Sequence, residues 1–153
     1  MSMGIKIIGD NRKAFHDYHV LEKFEAGMVL TGSEVKSLRD GHVQLKDAYV
    51  VFKGVELWLQ NCHISQYAAS SYNNHEPERL RKLLMHRNEI DNIIAQMKER
   101  GLTMVPLKIY FKEGRVKLEV AIVKGKKSHD KRDDLKKRDA QKQLDQLKKT
   151  QYR

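Results

Sequence analysis

The fold is decided by the stretch LKIYFKEGRVKLEVAI, residues 107–122, in which apolar and polar residues alternate on both sides of Glu113-Gly114. Because side chains on a strand point alternately to opposite faces, this pattern predicts an antiparallel hairpin with one buried and one solvent-facing side. The solvent-facing side would carry three lysines around Tyr110, namely Lys108, Lys112 and Lys117. The chain is therefore expected to be built mainly from antiparallel strands.

The same signals recur earlier in the chain. Residues 49–59 predict another hairpin, with a tight turn at Lys53-Gly54. The isoleucines of residues 5–8 predict a first strand, and residues 15–30 predict a long strand with a bend or bulge at Glu25-Ala26-Gly27. Hairpins arranged around short helices in this way favour a small closed antiparallel β-barrel.

About three helices are predicted outside the barrel. Residues 31–34, TGSE, match the capping box that begins a helix, and Gly41 is placed to end it. Between the hairpins, Pro77 suits the first position of a helix whose leucines follow the i, i+3, i+4 spacing. The spacing changes phase near residues 86–88, which predicts a separate helix ending at Gly101.

The C-terminal part differs in composition from the rest of the chain. Residues 124–153 contain 12 Lys or Arg and 5 Asp or Glu, a net of +7 out of +10 for the whole chain of 153 residues. We therefore expect a β-barrel domain over residues 1–127, the part considered below for RNA binding, and a basic tail over residues 128–153. The apolar stripe that includes Leu144 and Leu147 is too thin to dock, so the tail is expected to be disordered when free and helical on a partner.

The uneven positive charge indicates a polyanionic partner. The segment KGKKSHDKR, residues 124–132, can present its cations to phosphate groups, although a solvated basic linker has the same composition. The tail lacks the apolar face of a membrane-surface helix, so nucleic acid is favoured over a membrane. A single cysteine, Cys62, and the absence of a long apolar segment in the sequence favour a soluble cytoplasmic protein.

The sequence contains no pattern typical of an active site. Its seven histidines are scattered without the spacing of metal ligands, and it has no glycine-rich phosphate-binding loop. Cys62 and His63 are adjacent, which on a strand sends their side chains to opposite faces. We expect no enzyme activity, no catalytic residue, no cofactor and no metal site.

Cations that the core does not need are the best candidates for contact with RNA. One group lies on the predicted loop Asn11-Arg12-Lys13, and another lies on the predicted helix that carries Arg79, Arg81 and Lys82. Lys36 faces outward on the helix that follows the capping box. Interleaved tyrosines would add stacking on unpaired bases, although half-buried strand positions also explain them.

Five blocks of the sequence resemble the SsrA-binding protein family, small protein B of bacterial trans-translation. The blocks are NRKA at 11–14, FEAG at 24–27, GSEVKSLR at 32–39, RKLL at 81–84 and GKKSHDKR at 125–132. Because the resemblance runs in order from about residue 5 to the end of the chain, it is far more specific than any one motif.

The resemblance implies an oligonucleotide-binding-like β-barrel with helices outside it. It also implies binding to the tRNA-like domain of transfer-messenger RNA (tmRNA), and delivery of that RNA, with elongation factor Tu, to stalled ribosomes for peptide tagging. Taken with the cationic motifs, the expected RNA-binding residues are Asn11, Arg12, Lys13, Glu25, Lys36, Arg79, Arg81, Lys82 and Leu84. Glu25 would accept from base or sugar donors or hold a neighbouring cation, and Leu84 would support the face by packing.

The resemblance further implies a role for the tail on the ribosome. There it would enter the empty mRNA path as a helix, with His129 stacking at the decoding centre. The expected ribosome-contacting residues are Lys126, Lys127, His129, Asp130, Lys131, Arg132, Leu144 and Leu147. The protein is expected to be a bacterial monomer that binds no membrane. The alternative is a barrel-fold ribosomal protein or rRNA-binding translation factor without a tmRNA role.

Overall fold

The computed structural model describes residues 4–67, 74–126 and 138–144 of the chain. Its strands are β1 (Ile5–Asp10), β2 (Tyr18–Met28), β3 (Val43–Gln44), β4 (Tyr49–Lys53), β5 (Glu56–Gln60), β6 (His63–Ile64), β7 (Arg81–Leu84), β8 (Leu102–Lys112) and β9 (Arg115–Gly125). Its helices are α1 (Arg12–Asp17), α2 (Gly32–Arg39) and α3 (Arg87–Gln96). Residues 138–144 add a short helical segment in the tail. The protein is therefore mainly β, with about four helices.

Seven strands form one antiparallel sheet in the order β1-β8-β9-β2-β7-β5-β4, and β3 pairs with β6 in a separate ribbon. β4 folds over onto β8, so the sheet is strongly curled. Within the described residues β1 and β4 do not pair, and the predicted closed, oligonucleotide-binding-like barrel is wrong. The ribbon packs against β1, since a Cβ on Gly9 would lie 3.1 Å from Cγ1 of Val43.

Both predicted hairpins are confirmed. β8 and β9 pair from Leu102 opposite Lys124 to Lys112 opposite Arg115. The turn between them contains Gly114 with φ +78°, a conformation that glycine adopts without steric cost. β4 and β5 pair in the same way.

The capping box at the start of α2 is also confirmed. Oγ1 of Thr31 accepts the N–H of Glu34 at 3.4 Å, and Oε1 of Glu34 accepts the N–H of Thr31 at 2.9 Å. Gly41, with φ +77°, follows the end of the helix as predicted and donates its N–H to the Leu38 carbonyl at 2.9 Å. The α2 helix buries Leu38 in the core.

The helix predicted to begin at Pro77 is wrong, because residues 81–84 form strand β7. This strand pairs with β5 on one side and with β2 on the other. Arg81 and Leu83 point into the core, whereas Leu84 is exposed, which is the two-residue period of a strand. The spacing of Leu80, Leu83 and Leu84 fits a helix, but only Leu83 of residues 83–84 is buried here, with Arg81 buried beside it.

The second predicted helix is present as α3, although its ends differ. It begins after His86, whose N–H donates to Oε1 of Glu89 at 3.4 Å, and not after Asn88. It ends at Gln96, and Gly101, with φ +81°, belongs to the connection to β8. The helix is tied to β2 where Nε2 of Gln96 donates to Oε2 of Glu22 at 2.5 Å.

Two further local predictions are corrected near the N-terminus. Residues 12–17 form helix α1 in place of the predicted loop, because Asn11 caps it. The bulge predicted at residues 25–27 is also wrong, since the ladder between β2 and β9 is regular there. The register shift lies between Val20 and Glu22.

The two faces of the sheet have different surroundings. One face supports the main core, which includes Leu38 of α2 and Ile93 of α3. The opposite face is covered by α1 at one end, where a smaller cluster contains Ala14, Val105, Leu107, Ala121 and Val123. The rest of the opposite face is polar and carries the lysines that the sequence placed around Tyr110. Tyr110 itself is buried, so its predicted exposure is wrong.

The tail is described in part. β9 ends at Gly125, and residues 127–137 and 145–153 lie outside the described residues. Residues 138–144 are helical with every side chain exposed, so the helical segment does not dock on the sheet. The predicted domain boundary after residue 127 and the predicted disorder of the free tail lie outside the described residues and remain predictions.

Candidate nucleic-acid interface

Glu25 projects from β2 onto the polar part of the sheet. The Tyr110 hydroxyl donates to its Oε2 at 2.5 Å, and Nζ of Lys112 lies 3.4 Å from both carboxylate oxygens. The hydrogen bond from Tyr110 is the main cause that lowers the pKa of Glu25; partial burial acts in the opposite direction, and Lys112 and Lys117 lower the pKa further. The carboxylate is therefore held ionised, and 39% of the side chain stays exposed.

Leu84 lies beside Glu25 on the same outer surface. Leu84 on β7 is opposite Gly27 on β2, and a Cβ on Gly27 would lie 3.4 Å from Cβ of Leu84. Because Gly27 has no side chain to cover it, Leu84 remains 51% exposed although it is an apolar residue. A single exposed leucine is ordinary on a protein surface, so Leu84 indicates a ligand only in combination with the groups around it.

These residues share a shallow depression of about 320 Å³, which we call the Leu84 depression. It is lined by Glu25, Gly27, Leu84, Met85, His86, Glu89 and Lys117. The lining combines an apolar floor, hydrogen-bond acceptors and a cation. That combination suits an unpaired nucleotide, which offers a base face, base-edge donors and a phosphate.

Arg81 is placed elsewhere than the sequence predicted. Its side chain is 0% exposed and contacts Oε2 of the equally buried Glu34 through Nε. Its remaining nitrogens donate to main-chain carbonyls, to Cys62 at 2.7 Å and to Pro77 at 2.9 Å. The expectation that Arg81 offers its cation to RNA is corrected, because every bond of the guanidinium points into the protein.

Arg79 belongs partly to the same network. Its Nη2 donates to Oε1 of Glu34 at 2.6 Å and to the Val29 carbonyl at 3.1 Å, while Nε is buried without a hydrogen-bond partner among the described residues. One third of the side chain is exposed. Lys82, by contrast, points outward on the surface that carries Leu84, with Nζ 3.7 Å from Oε1 of Glu56.

Glu34 is thus the centre of a buried ionic network. Burial alone would raise the pKa of Glu34, but the hydrogen bonds from Arg79, the Thr31 N–H and Arg81 together lower it. The network joins the start of α2, strand β7 and the segment before β7. The sequence explained Glu34 by its capping box alone and missed this second role.

The N-terminal candidates lie around α1. Both N–H groups of the buried Asn11 amide are used, toward the carbonyls of Pro106 at 2.9 Å and Leu45 at 3.4 Å. Its Oδ1 accepts from the Ala14 N–H at 3.2 Å. Asn11 therefore positions α1, while Arg12 is 93% exposed. Nζ of Lys13 contacts Oδ1 of Asp47 at 2.7 Å, which raises the pKa of Lys13.

Asn11 and Glu25 are separated by the width of the sheet. Glu25 is opposite Glu119, Glu119 is opposite Lys108, and Lys108 is opposite Asp10, which precedes Asn11. Three strand spacings of about 4.8 Å place the two positions roughly 14 Å apart. The predicted RNA-binding residues therefore form at least two separate groups.

Three other candidates lie on α2, after β9 and in the tail. Nζ of Lys36 on α2 is 5.7 Å from the centre of the Tyr67 ring, a cation–π contact on the surface. Lys126 follows β9, and its Nζ donates to the Phe15 carbonyl at the end of α1 at 3.1 Å. Leu144 is exposed in the helical segment of the tail.

The other tail candidates lie outside the described residues: Lys127, His129, Asp130, Lys131, Arg132 and Leu147. Tyr110 and Lys112, which hold Glu25, were not named as site residues from the sequence. The alternation of residues 107–122 predicted the strand that carries Tyr110 and Lys112, but it did not indicate that they contact Glu25 on β2.

Residues 4–67, 74–126 and 138–144 contain no group of three or more His, Cys, Asp or Glu side chains arranged to hold a metal ion. Cys62 is buried, which raises the pKa of its thiol to about 11, while His63 is partly exposed as predicted. No helix in the described part of the chain is long and apolar enough to cross a membrane.

Comparison with known proteins gives a consistent result. The family described as SmpB protein matches residues 8–150. The SsrA-binding protein of Bdellovibrio bacteriovorus is 61% identical over 144 residues, which cover 94% of this chain and 95% of that protein. The SsrA-binding protein of Syntrophobacter fumaroxidans is 53% identical over 144 residues, which cover 94% of this chain and 89% of that protein.

A solved structure agrees with the sequence comparisons. A chain from a study of tmRNA-SmpB and the centre of the bacterial ribosome superposes with a TM-score of 0.67 at 45% identity. The superposition covers 78% of this chain and 85% of that chain. All five blocks that resemble the SsrA-binding protein family lie within residues 8–150, the part of the chain that the family matches. This chain belongs to the SmpB protein family.

Proposed function

We propose that this protein binds tmRNA and acts with it on the bacterial ribosome in trans-translation, the rescue of stalled ribosomes with tagging of the unfinished peptide. The observation that carries the proposal is the superposition on the chain from the tmRNA-SmpB study, together with the match to the family over residues 8–150. A cationic surface with an exposed apolar floor supports the same conclusion from geometry.

The Leu84 depression is proposed as the main contact with the tRNA-like domain of tmRNA. Leu84 offers an apolar surface for a base. Glu25 offers an acceptor that can bind a sugar hydroxyl or a base amine. Lys82, Lys112 and Lys117 surround it and would meet phosphates. The alternative, in which Leu84 only supports the surface by packing and does not touch RNA, is less favoured because its side chain is exposed to solvent.

A second contact is proposed at α1. Arg12 is almost fully exposed, and Lys13 is held by Asp47 on the surface, where a phosphate can compete for it. Asn11 would act through the position of α1 and not by touching RNA. Lys36 and Arg79 would contribute a weaker contact at the start of α2, since each already has a partner in the protein.

The tail is proposed to act on the ribosome and not in binding the tRNA-like domain. Delivery with elongation factor Tu, entry of the tail into the mRNA path and stacking of His129 at the decoding centre follow from the resemblance. The protein would act as a monomer in the bacterial cytoplasm. Lys126 would set the direction in which the tail leaves the sheet, since it is anchored to α1.

Binding and ribosomal activity can be tested separately. The full chain is titrated with the tRNA-like domain of tmRNA, with an elongator tRNA and with a 16S rRNA fragment as competitors. We expect the tRNA-like domain to bind at least tenfold more tightly than either competitor. Equal or tighter binding of the rRNA fragment would contradict the proposal and support a ribosomal protein without a tmRNA role.

Truncation after Lys127 tests the role of the tail. The shortened chain keeps every residue of the Leu84 depression, so its affinity for the tRNA-like domain should change by less than about threefold. Peptide tagging in a reconstituted translation system should be lost. Normal tagging by the truncated chain would show that the tail is a solvated linker, and His129→Ala in the full chain should reproduce part of the loss.

A further inference from the structure

The Glu25 carboxylate is held in place from across the sheet. Tyr110 lies on β8 and Glu25 on β2, with β9 between them. Two strand spacings, about 10 Å, separate the two backbones, so a long side chain must cross β9 to close the distance. The Tyr110 hydroxyl does so and donates to Oε2 of Glu25 at 2.5 Å.

The Tyr110 ring is itself fixed. It is almost fully buried, and Nζ of Lys108 lies 5.9 Å from the centre of the ring. Nζ of Lys108 is also 3.6 Å from Oε2 of Glu119 on β9. A ring held by packing and by a cation has little freedom, so its hydroxyl can fix the orientation of the carboxylate that it contacts.

Glu25 lines the Leu84 depression and keeps acceptor positions that its partners in the protein do not use. An ionised carboxylate has about four acceptor positions, of which Tyr110 occupies one and the more distant Lys112 is shared between both oxygens. Glu25, Gly27 and Lys117 line the depression together. An RNA group placed there meets an acceptor whose direction is already set.

We propose that Tyr110 is a positioning residue that aims the Glu25 carboxylate at a neutral N–H or O–H donor of the RNA, a base-edge N–H or a ribose 2′-hydroxyl. This inference rests on the proposed function and identifies the chemistry of one contact within it. A phosphate cannot fill the role, because an ionised carboxylate repels it. Lys112 and Lys117 on either side are left to meet the phosphates.

The inference predicts a change in the pH dependence of RNA binding. The titratable groups that face Glu25 are Tyr110 and Lys112 from β8, Lys117 and Glu119 from β9, and His86 and Glu89 at the start of α3. Tyr110→Phe removes the main cause that lowers the pKa of Glu25, so this pKa rises. Because the ionised form accepts the RNA donor, affinity should begin to fall at a higher pH in Tyr110→Phe than in the native protein.

A double-mutant cycle tests whether Tyr110 acts through Glu25. The native protein, Tyr110→Phe, Glu25→Gln and the double variant are titrated with the tRNA-like domain of tmRNA. Loss of a hydrogen bond to a charged group weakens binding by about tenfold or more, so we expect that effect for Glu25→Gln and a smaller one for Tyr110→Phe. The double variant should bind like Glu25→Gln alone, since Tyr110 would then have no carboxylate to aim at the RNA.

Controls separate positioning from folding. Asp91→Asn removes an exposed carboxylate of α3 that does not line the Leu84 depression and should leave both affinity and pH dependence unchanged. Thermal unfolding of each variant verifies that the sheet is intact. The pH profile distinguishes positioning from general damage, because a merely structural loss would weaken binding equally at every pH.

Substituted RNAs identify the donor. Unpaired nucleotides of the tRNA-like domain are replaced singly by 2′-deoxy nucleotides or by base analogues that lack the amine or ring N–H donor. The substitution that abolishes the difference between the native protein and Glu25→Gln identifies a ribose or a base as the source. If no substitution of either kind abolishes it, Glu25 does not accept from the RNA and the inference fails.

Two other results would overturn the inference without touching the proposed function. One is a Tyr110→Phe variant that binds with native affinity and an unchanged pH profile, and the other is a double variant whose loss equals the product of the two single losses. Failure of the native protein itself to prefer the tRNA-like domain over an elongator tRNA would contradict the proposed function instead.

Discussion

Glu25 and Glu34 are each held by a pair of side-chain donors, but one carboxylate is exposed and the other is buried. Glu34 is 0% exposed and is bound by Arg79 and Arg81, with the start of α2 as a third contact. Glu25 is bound by Tyr110 and Lys112 on the open face of the sheet. The difference is burial, and burial decides whether the partners stabilise the fold or prepare a surface.

The two positions are expected to separate stability from binding. A buried carboxylate whose cation is removed has neither water nor a partner, which costs several kcal/mol. A half-exposed carboxylate regains water when its partner is removed, so the cost to folding is small. The same type of contact therefore supports folding at Glu34 and leaves binding energy available at Glu25.

The largest expected effect is that of Arg81→Ala on stability. It leaves Glu34 buried beside Arg79 alone and should lower the free energy of unfolding by about 3–5 kcal/mol. Urea denaturation at neutral pH measures the loss. Arg87→Ala is the matched control, because its ion pair with Asp91 at 3.1 Å lies on the surface of α3 and should contribute little. A loss below about 1 kcal/mol for Arg81→Ala would remove the contrast between the two carboxylates.

The next effect is that of Glu25→Ala on RNA binding. The free energy of unfolding should change by less than about 1 kcal/mol, whereas affinity for the tRNA-like domain should fall by about tenfold or more. Denaturation and fluorescence titration of the same samples measure the two quantities. Asp91→Ala removes an exposed carboxylate away from the Leu84 depression and should change neither. A stability loss as large as that of Arg81→Ala would mean that Glu25 is structural after all.

A smaller effect is expected from pH. The pKa of Glu34 is lowered in the folded protein below its ordinary value of 4.5, so its ionisation stabilises the folded state above that value. This contribution is lost as the pH falls through the lowered pKa, because Glu34 is then protonated in the folded state as well as in the unfolded state. The native protein should therefore lose more stability than Glu34→Gln between about pH 5 and pH 3. Parallel stability curves for the two proteins would contradict the lowered pKa.

The smallest effect is that of single surface lysines on the salt dependence of binding. Lys82→Ala and Lys117→Ala should each reduce the slope of log affinity against log salt by about 0.7–0.9 if each contacts one phosphate. Arg81 is unsuitable for this measurement, because its loss would damage the fold. Lys98→Ala, beyond the far end of α3, is the control and should leave the slope unchanged. Native slopes for both lysine variants would place the phosphates elsewhere.

Local signals in the sequence predicted local structure well. The hairpin around Gly114, the hairpin of residues 49–59 and the capping box of residues 31–34 are all present. Each of them is encoded within a few residues, by alternation, by a glycine with positive φ or by a side chain that bonds its own helix. The five blocks that resemble the SsrA-binding protein family led to the family that the comparisons show.

Three predictions failed for different reasons. The leucine spacing after Pro77 predicts a helix, but residues 81–84 form β7, with Arg81 paired to the distant Glu34 inside the protein. A loop was predicted at Asn11-Arg12-Lys13, but the Asn11 side chain caps α1 through a local hydrogen bond from the Ala14 N–H. A closed barrel was predicted, but in the described residues β1 and β4 do not pair and the sheet is open.

The sequence by itself determined the strands, the turns, the family and the uneven charge of this protein, because each is encoded by neighbouring residues or by totals. Only the tertiary structure decided what Glu25 and Glu34 do. Arg81 is 47 residues from Glu34, and Tyr110 is 85 residues from Glu25. No local pattern encodes such pairs, since the free energy of a carboxylate depends on the burial and the partners that packing of the whole sheet provides.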